Sequence, residues 1–323
     1  MPVQWFPGHM HSTKKAIVER VKGIDVVIEM LDARLPGSSA NPLLAELTRG
    51  KLAVKVLNKQ DLADPDRTAL WLEHFNAQPG TRAIGLDGRA GAAVHRIIDA
   101  CRELAPHRGG MVKPLRVLIC GIPNVGKSTV INSLVGRVAA KTGDEPGITK
   151  TEQKIILAND FYLFDTPGML WPRIVVEQSG YCLAASGAVG RNAFDEEEVA
   201  LELIAMLNRD YPGALTQRFK LGDLAGRTEQ EWLAAIGRQR GAVMTGGRIN
   251  LQKAAEIVLH ELRSGSLGRI TLETPQEFAL WLEAGQKLDA ERQVKKDEIE
   301  LKRLVKLKKV PRPAKVDRRG HED

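Results

Sequence analysis

The sequence predicts an α/β protein, a mostly parallel, doubly wound sheet followed by a small all-α region. Short, β-branched apolar runs alternate with helical patterns over the first two-thirds of the chain. One such run leads through a glycine-containing loop into a helix, and beyond about residue 178 helical spacing replaces strand-like runs. Alternating strands and helices imply a parallel sheet. Its ligand crevice belongs at the carboxyl ends of the strands.

In chain order the candidate strands are Ile24–Leu31, Leu52–Leu57, Leu115–Cys120, Gln153–Leu157 and Phe161–Phe164. Helical stretches lie between them at Ser12–Lys22, Asn41–Arg49, Pro65–Phe75, Ala92–Leu104 and Lys127–Leu134. The later helices are Glu196–Asn208, Glu229–Arg238, Leu251–Arg263 and one running from Pro275 into a basic region. In the third of these Leu251, Ala254, Ala255, Val258, Leu259 and Leu262 recur at helical spacing and predict one apolar face. The expected division is residues 1–178 for the sheet domain with its N-terminal segment, 179–290 for a helical domain, and 291–323 for a basic helix or tail. Pro311, Pro313 and the charges after them predict a frayed end.

At 323 residues the chain is long for one simple core, and 43% apolar with 27% charged residues is an ordinary globular composition. No apolar run is long enough for a membrane span, and the N-terminus lacks a signal-peptide pattern. Cys101, Cys120 and Cys182 fit no zinc spacing and read as buried thiols in a reducing, cytoplasmic setting. Residues 292–319 hold twelve Lys or Arg against four Asp or Glu, +8 against the whole chain's +7, which leaves the remainder at −1. Such a segment fits either a polyanionic partner or a solvated helix.

The strongest motif is Gly121-Ile122-Pro123-Asn124-Val125-Gly126-Lys127-Ser128, two glycines four residues apart and then Lys and Ser. It is a phosphate-binding loop in its required strand-to-helix context. Glycines let backbone N–H groups turn toward phosphates, and the helix N-terminus adds its positive dipole end. Lys127 is placed to reach the β- and γ-phosphates and Ser128 to bind magnesium. Asn58-Lys59-Gln60-Asp61 selects the base. Guanine offers two adjacent donors, and the Asp61 carboxylate accepts both; adenine would leave that carboxylate unpaired. Asn58 would brace the loop and Lys59 would lie over the base. Asp165-Thr166-Pro167-Gly168 follows a strand, with Asp165 near magnesium and the Gly168 N–H near the γ-phosphate. Thr149, in Glu145-Pro146-Gly147-Ile148-Thr149 between these motifs, is the expected ligand of magnesium and the γ-phosphate.

The expected nucleotide site therefore comprises Asn58, Lys59, Asp61, Asn124, Val125, Gly126, Lys127, Ser128, Thr129, Thr149, Asp165 and Gly168. Ser128, Thr149 and Asp165 would hold the metal, and Lys127 and Thr149 would serve hydrolysis. In an ordinary small GTPase the guanine motif follows the phosphate loop; here it precedes it. The predicted fold is a P-loop GTPase fold, circularly permuted, with its chain reopened after Gly168. Such rotation preserves a sheet when the old termini lie close together.

Trp5-Phe6-Pro7-Gly8-His9-Met10, Asp32-Ala33-Arg34-Leu35-Pro36 and the four motifs in this order resemble the circularly permuted GTPases of ribosome assembly. The likeness is specific over residues 1 to about 175 and looser beyond. It implies GTP and GDP as ligands, magnesium, and hydrolysis coupled to late assembly of the large ribosomal subunit. It also implies rRNA contact through the C-terminal region. The expected protein is a cytoplasmic monomer with no DNA partner and no stable membrane association.

Two departures stand out. Where related GTPases often place a Gln to position water, this chain has Met169, which cannot do so. The resemblance points to His9 as the replacement; the alternative is a surface histidine on an arm. The usual Ser-Ala-like pair for the guanine O6 is also missing, and Gly85-Leu86-Asp87 is its positional candidate. Asn124 resembles a potassium-binding asparagine, with loop bracing as the other reading. Competing readings are a permuted GTPase of the small subunit, an RNA-binding scaffold with negligible turnover, and, least favoured, a small-molecule kinase.

Overall fold

In a computed structural model the described residues are 9–87, 91–110, 112–136, 153–222 and 224–306. Six strands form one sheet: β1 (Val26–Asp32), β2 (Leu52–Asn58), β3 (Thr81–Gly85), β4 (Leu115–Gly121), β5 (Gln153–Ala158) and β6 (Phe161–Asp165). Their spatial order is β3-β2-β1-β4-β6-β5, parallel except for β5 against β6. β1 is buried along its whole length, as a central parallel strand covered on both faces must be. β3 is the strand-like segment ending near Ile84 that precedes the Gly85-Leu86-Asp87 candidate.

Before and between the strands run α1 (His9–Val21), α2 (Pro36–Ser39), α3 (Pro42–Leu47), α4 (Pro65–Asn76), α5 (Gly91–Leu104) and α6 (Lys127–Val135). Asn41 and Asp64 cap α3 and α4 by accepting backbone N–H groups, each with proline in the first turn. Right-handed crossovers put α3 and α4 on one face and α5, which returns across the sheet to β4, on the other. α6 packs against α5.

Beyond β6 come α7 (Glu177–Ser186), α8 (Glu196–Asp210), α9 (Ala214–Phe219), α10 (Glu229–Gln239), α11 (Leu251–Ser264) and α12 (Pro275–Lys306). Among the described residues after Asp165 no strand occurs, only an isolated bridge between Val243 and Ile249. α2, α7 and α9 were not anticipated. The apolar face of α11 is buried at Ala254, Ala255, Val258, Leu259 and Leu262. One apolar cluster runs from the sheet into α7, α8, α10 and α11, so the helices share a core with the sheet. The three cysteines are buried thiols without a disulfide. Among the described residues no helix is long and apolar enough to cross a membrane.

A buried carboxylate ties these parts together. Glu273, on the segment leading into α12, accepts from the Ser38 backbone N–H at 2.7 Å and from the Ser38 hydroxyl. That hydroxyl lies 2.9 Å from Ser179 on α7, and Trp71 of α4 donates to the Glu273 carbonyl at 3.0 Å. Burial pushes the Glu273 carboxyl from its ordinary 4.5 up to about 7, against the hydrogen bonds from Ser38.

Across pH 4.5 to 7 the unfolded chain releases this proton and the folded chain keeps it. Stability therefore falls as pH rises through that window, by about 3 kcal/mol in all, and is level above it. Urea unfolding at a series of pH values should show this slope in the wild type and a flatter one in Glu273→Gln. Equal slopes would remove Glu273 as its source.

Candidate nucleotide-binding site

β1, β2, β4 and β6 end at Asp32, Asn58, Gly121 and Asp165, so four strands deliver the motif residues to one edge of the sheet. β1 and β4 are adjacent, with Met30 opposite Gly121. The chain winds away from this pair in both directions, which makes their carboxyl ends the switch point where α/β sheets hold ligands.

The phosphate loop closes on its neighbours. Gly126 has φ +95°, and a Cβ there would collide with the Asn58 amide nitrogen. A Cβ at Gly168 would lie 3.0 Å from Pro123 Cα, so the Asp165–Gly168 turn lies against the loop. Asn58 Nδ2 donates to the Val125 carbonyl at 2.8 Å, which fastens the guanine turn to the phosphate loop. Val125 is buried, and Ser128 and Thr129 are half-buried in the first turn of α6. The Asn124 amide donates to the carbonyl of Gly187, the C-cap of α7, at 2.9 Å. This is the bracing role, and it reaches into the helical region.

Lys127 and Asp165 form an ion pair with side chains 6% and 0% exposed. Burial raises the Asp165 carboxyl, and Lys127 opposes that rise. Asp165 Oδ2 and Asn58 Oδ1 are buried and lack a hydrogen-bond partner among the described residues. A buried carboxylate oxygen in that state calls for a cation or a donor. Asp165, paired with Lys127 at the N-terminus of α6 one residue before Ser128, suits a magnesium–phosphate group.

Around the guanine turn, Lys59 has φ 63°, a region sparsely occupied by lysine. Its ammonium lies 2.8 Å from Asp32 Oδ2. Asp32 also accepts from Arg34 Nε at 2.9 Å and Nη2 at 2.8 Å. Burial alone would raise the Asp32 carboxyl; Arg34 and Lys59 hold it well below the usual range. Burial lowers the Lys59 ammonium, an effect that Asp32 only partly offsets and Arg34 reinforces. Asp61 follows in a single 3-10 turn, Gln60–Leu62, and is exposed. Leu86 N–H donates to Leu57 at 2.9 Å and Gln60 N–H to Leu86 at 3.1 Å, so the Gly85–Asp87 segment lies directly beside this turn.

Met169 is 1% exposed. Its N–H donates to Gly121 at 3.0 Å and its carbonyl accepts from Asn41 Nδ2 at 2.8 Å. The thioether is packed in the core, so this position offers nothing to orient a water. Thr149 and its loop lie outside the described residues, as do Trp5 to Gly8. His9 is the first residue of α1, and its side chain lies outside the described set. The joint role of Asp32 and Arg34 was not foreseen. The acid and base two residues apart at a strand end were visible, but the burial that joins them to Lys59 was not.

A family model described as "50S ribosome-binding GTPase" matches residues 116–208. The chain is 40% identical over 296 residues to ribosome biogenesis GTPase A of Bacillus cereus, covering 90% of this chain and 99% of that protein. It is 33% identical to mitochondrial ribosome-associated GTPase 1 of Bos taurus, covering 84% and 88%. Among solved structures, GDP-bound TM YlqF matches with TM-score 0.61 at 25% identity, covering 81% of this chain and 99% of that one.

Substituting Gly126→Ala should cost about 2–4 kcal/mol from left-handed strain and a displaced Asn58 hydrogen bond. Urea unfolding without nucleotide measures it. In an Asn58→Ala background the same substitution should cost less, because the collision is gone; strict additivity would show that the contact is not the cause.

Proposed function

The chain belongs to the ribosome biogenesis GTPase A family of circularly permuted GTPases, and we propose that it acts in late maturation of the large ribosomal subunit. The chain is a GTPase with a P-loop GTPase fold. The observation that carries the site reading is the Asn58–Val125 hydrogen bond, which joins the base-reading turn to the phosphate loop. In this reading Asp61 accepts the two guanine donors and the stem of Lys59 covers the base. The loop from Asn124 to Thr129 holds the phosphates, with Lys127 on the β- and γ-phosphates and the Gly168 N–H on the γ-phosphate. Ser128, Thr149 and Asp165 would hold magnesium, which supplies charge neutralisation at the phosphates. For Lys127 to serve the phosphates it must share or leave Asp165. The buried pair is therefore a device that nucleotide and metal rearrange.

Because Met169 is buried, we assign the positioning of the attacking water to His9. α1 spans about 20 Å, comparable to the length of β1. Its C-terminal end joins β1 at the sheet edge opposite the site, so the helix is long enough to carry His9 the height of the sheet. Large-subunit action is supported by the family model's description, and rRNA contact by the basic charge after residue 291. The reading is completed by ribosome-stimulated turnover, a cytoplasmic monomer, and switch movements passed to the helices after Met169. Potassium stimulation depends on Asn124 exchanging its Gly187 bond for the ion; equal turnover in sodium and potassium rejects it.

Three outcomes are expected. Asp61→Asn should lose GDP and gain xanthosine diphosphate, whose carbonyl replaces the amine that Asp61 reads, a reversal of about a hundredfold or more in relative affinity. His9→Ala should keep nucleotide affinity and lose most ribosome-stimulated turnover, by about two orders of magnitude; unchanged turnover removes His9. Depletion followed by a sucrose gradient should show immature large subunits. Immature small subunits would transfer the assignment to the other particle, and normal complementation by a hydrolysis-dead variant would favour a scaffold.

A further inference from the structure

We propose that Asp32 and Arg34 are positioning residues that lock the guanine turn to the segment Leu262–Glu273, so that the helical region senses the base directly. The inference rests on the guanine-site reading of Asn58–Asp61. The turn is held in a costly state: Lys59 has a left-handed backbone and a partly desolvated ammonium. Such states persist only where the surroundings over-determine them. Asp32 is what holds this one. It pairs in register with Asn58 across β1 and β2, and the Ala33 N–H donates to the Asn58 carbonyl at 2.8 Å.

The fork of Arg34, itself 1% exposed, grips both oxygens of the same carboxylate and shares Oδ2 with Lys59. Arg34 has a third contact, from Nη1 to the Leu262 carbonyl near the end of α11, at 3.2 Å. From there the chain turns back along the guanine turn. Ile270 N–H donates to Leu62 at 3.0 Å and Leu272 N–H to Arg34 at 2.7 Å. Thr271 Oγ1 donates to Ala33 at 3.1 Å. Arg269 donates to Ala63 at 2.8 Å and to Gln60 at 3.2 Å. The segment thus bonds backbone on both sides of Asp61.

These contacts make one unit of two distant parts of the chain. The turn cannot shift without breaking Lys59 from Asp32, and Asp32 cannot shift without drawing Arg34 off α11. Breaking one member of a buried charged set leaves uncompensated charge behind, so the response is stepwise. Any effect of the segment's docking on base affinity must be matched by an effect of base binding on docking.

The test uses the full chain, GDP titration and amide hydrogen exchange. Arg34→Lys keeps the charge but loses the planar fork that reaches both Asp32 and Leu262. It should weaken GDP binding by about tenfold or more, chiefly through faster dissociation. In the wild type GDP should slow exchange at the Ile270 and Leu272 amides and leave Leu203 on α8 unaffected; in Arg34→Lys that slowing should vanish. Asp32→Asn should act in the same direction and more strongly, and Arg34→Lys decides the matter if Asp32→Asn does not fold. A GDP affinity within about twofold of wild type, or an unchanged slowing at Ile270 and Leu272, overturns the proposal. A wild type that binds no GDP would fail the guanine-site reading and the coupling with it; wild-type binding without the Arg34 effects fails the coupling alone.

Discussion

The parallel pairing of β1 with β4 is the seam on which the molecule depends. Val26 stands opposite Val117 and Met30 opposite Gly121, joining two strands that are far apart along the chain. In an unpermuted order β1 would follow β6, and the arrangement read from β4 onward is that of the P-loop GTPase fold. Side chains of both strands are almost wholly buried, so a one-residue slip would reverse every one of them between the two faces. The register thereby fixes the site: Asp32, Gly121 and, through the next pairings, Asn58 and Asp165 arrive at one edge.

That edge carries an unusual concentration of buried charge. Lys127 with Asp165, and Asp32 with Arg34, are almost out of reach of water, and Lys59 joins Asp32 from a partly exposed position. Such groups are seldom a net source of stability, since desolvation cancels much of their attraction. They make sense as fixed electrostatics. In the proposed reading one pair is rearranged by phosphate and metal; among the described residues one oxygen of its Asp165 has no partner. In the other set both Asp32 oxygens are bonded, and Arg34 reaches on to the carbonyl of Leu262. The contrast follows the chemistry: phosphate charge changes during hydrolysis and the base does not.

The sheet and the motif loops were legible because their signals are local. Apolar runs of strand length and the strand-to-helix glycine loop need no tertiary knowledge, and Asn58–Asp61 beside Gly121–Ser128 fixes the motif order. What could not be read depends on partners distant in sequence. α2 is a short turn buried by contacts from α12 and α4, with Gly37 against Phe278 and Trp71. Asp32 and Arg34 were visible as a family-like motif, but their function arises from Lys59, 27 residues away, and Leu262, 228 residues beyond Arg34. The bracing by Asn124 likewise requires knowing that α7 ends beside the phosphate loop.

Permutation changes which parts of a GTPase can be leashed to an added domain. With the chain reopened beyond Gly168, the helices continue covalently from the Asp165–Met169 turn. The fold then returns the same helices to the phosphate loop and the guanine turn: Asn124 grips the end of α7, Arg263 caps its carbonyls at Ala184 and Ala185, and the adjacent Leu262 is held by Arg34. Leu262 and Arg263 are neighbours on α11, so the helix that Arg34 holds also holds the end of α7 that the phosphate loop grips. A rigid α11 cannot answer one without straining the other. The helical region is thus mechanically placed to distinguish a site holding a whole nucleotide from one holding only its base or only its phosphates.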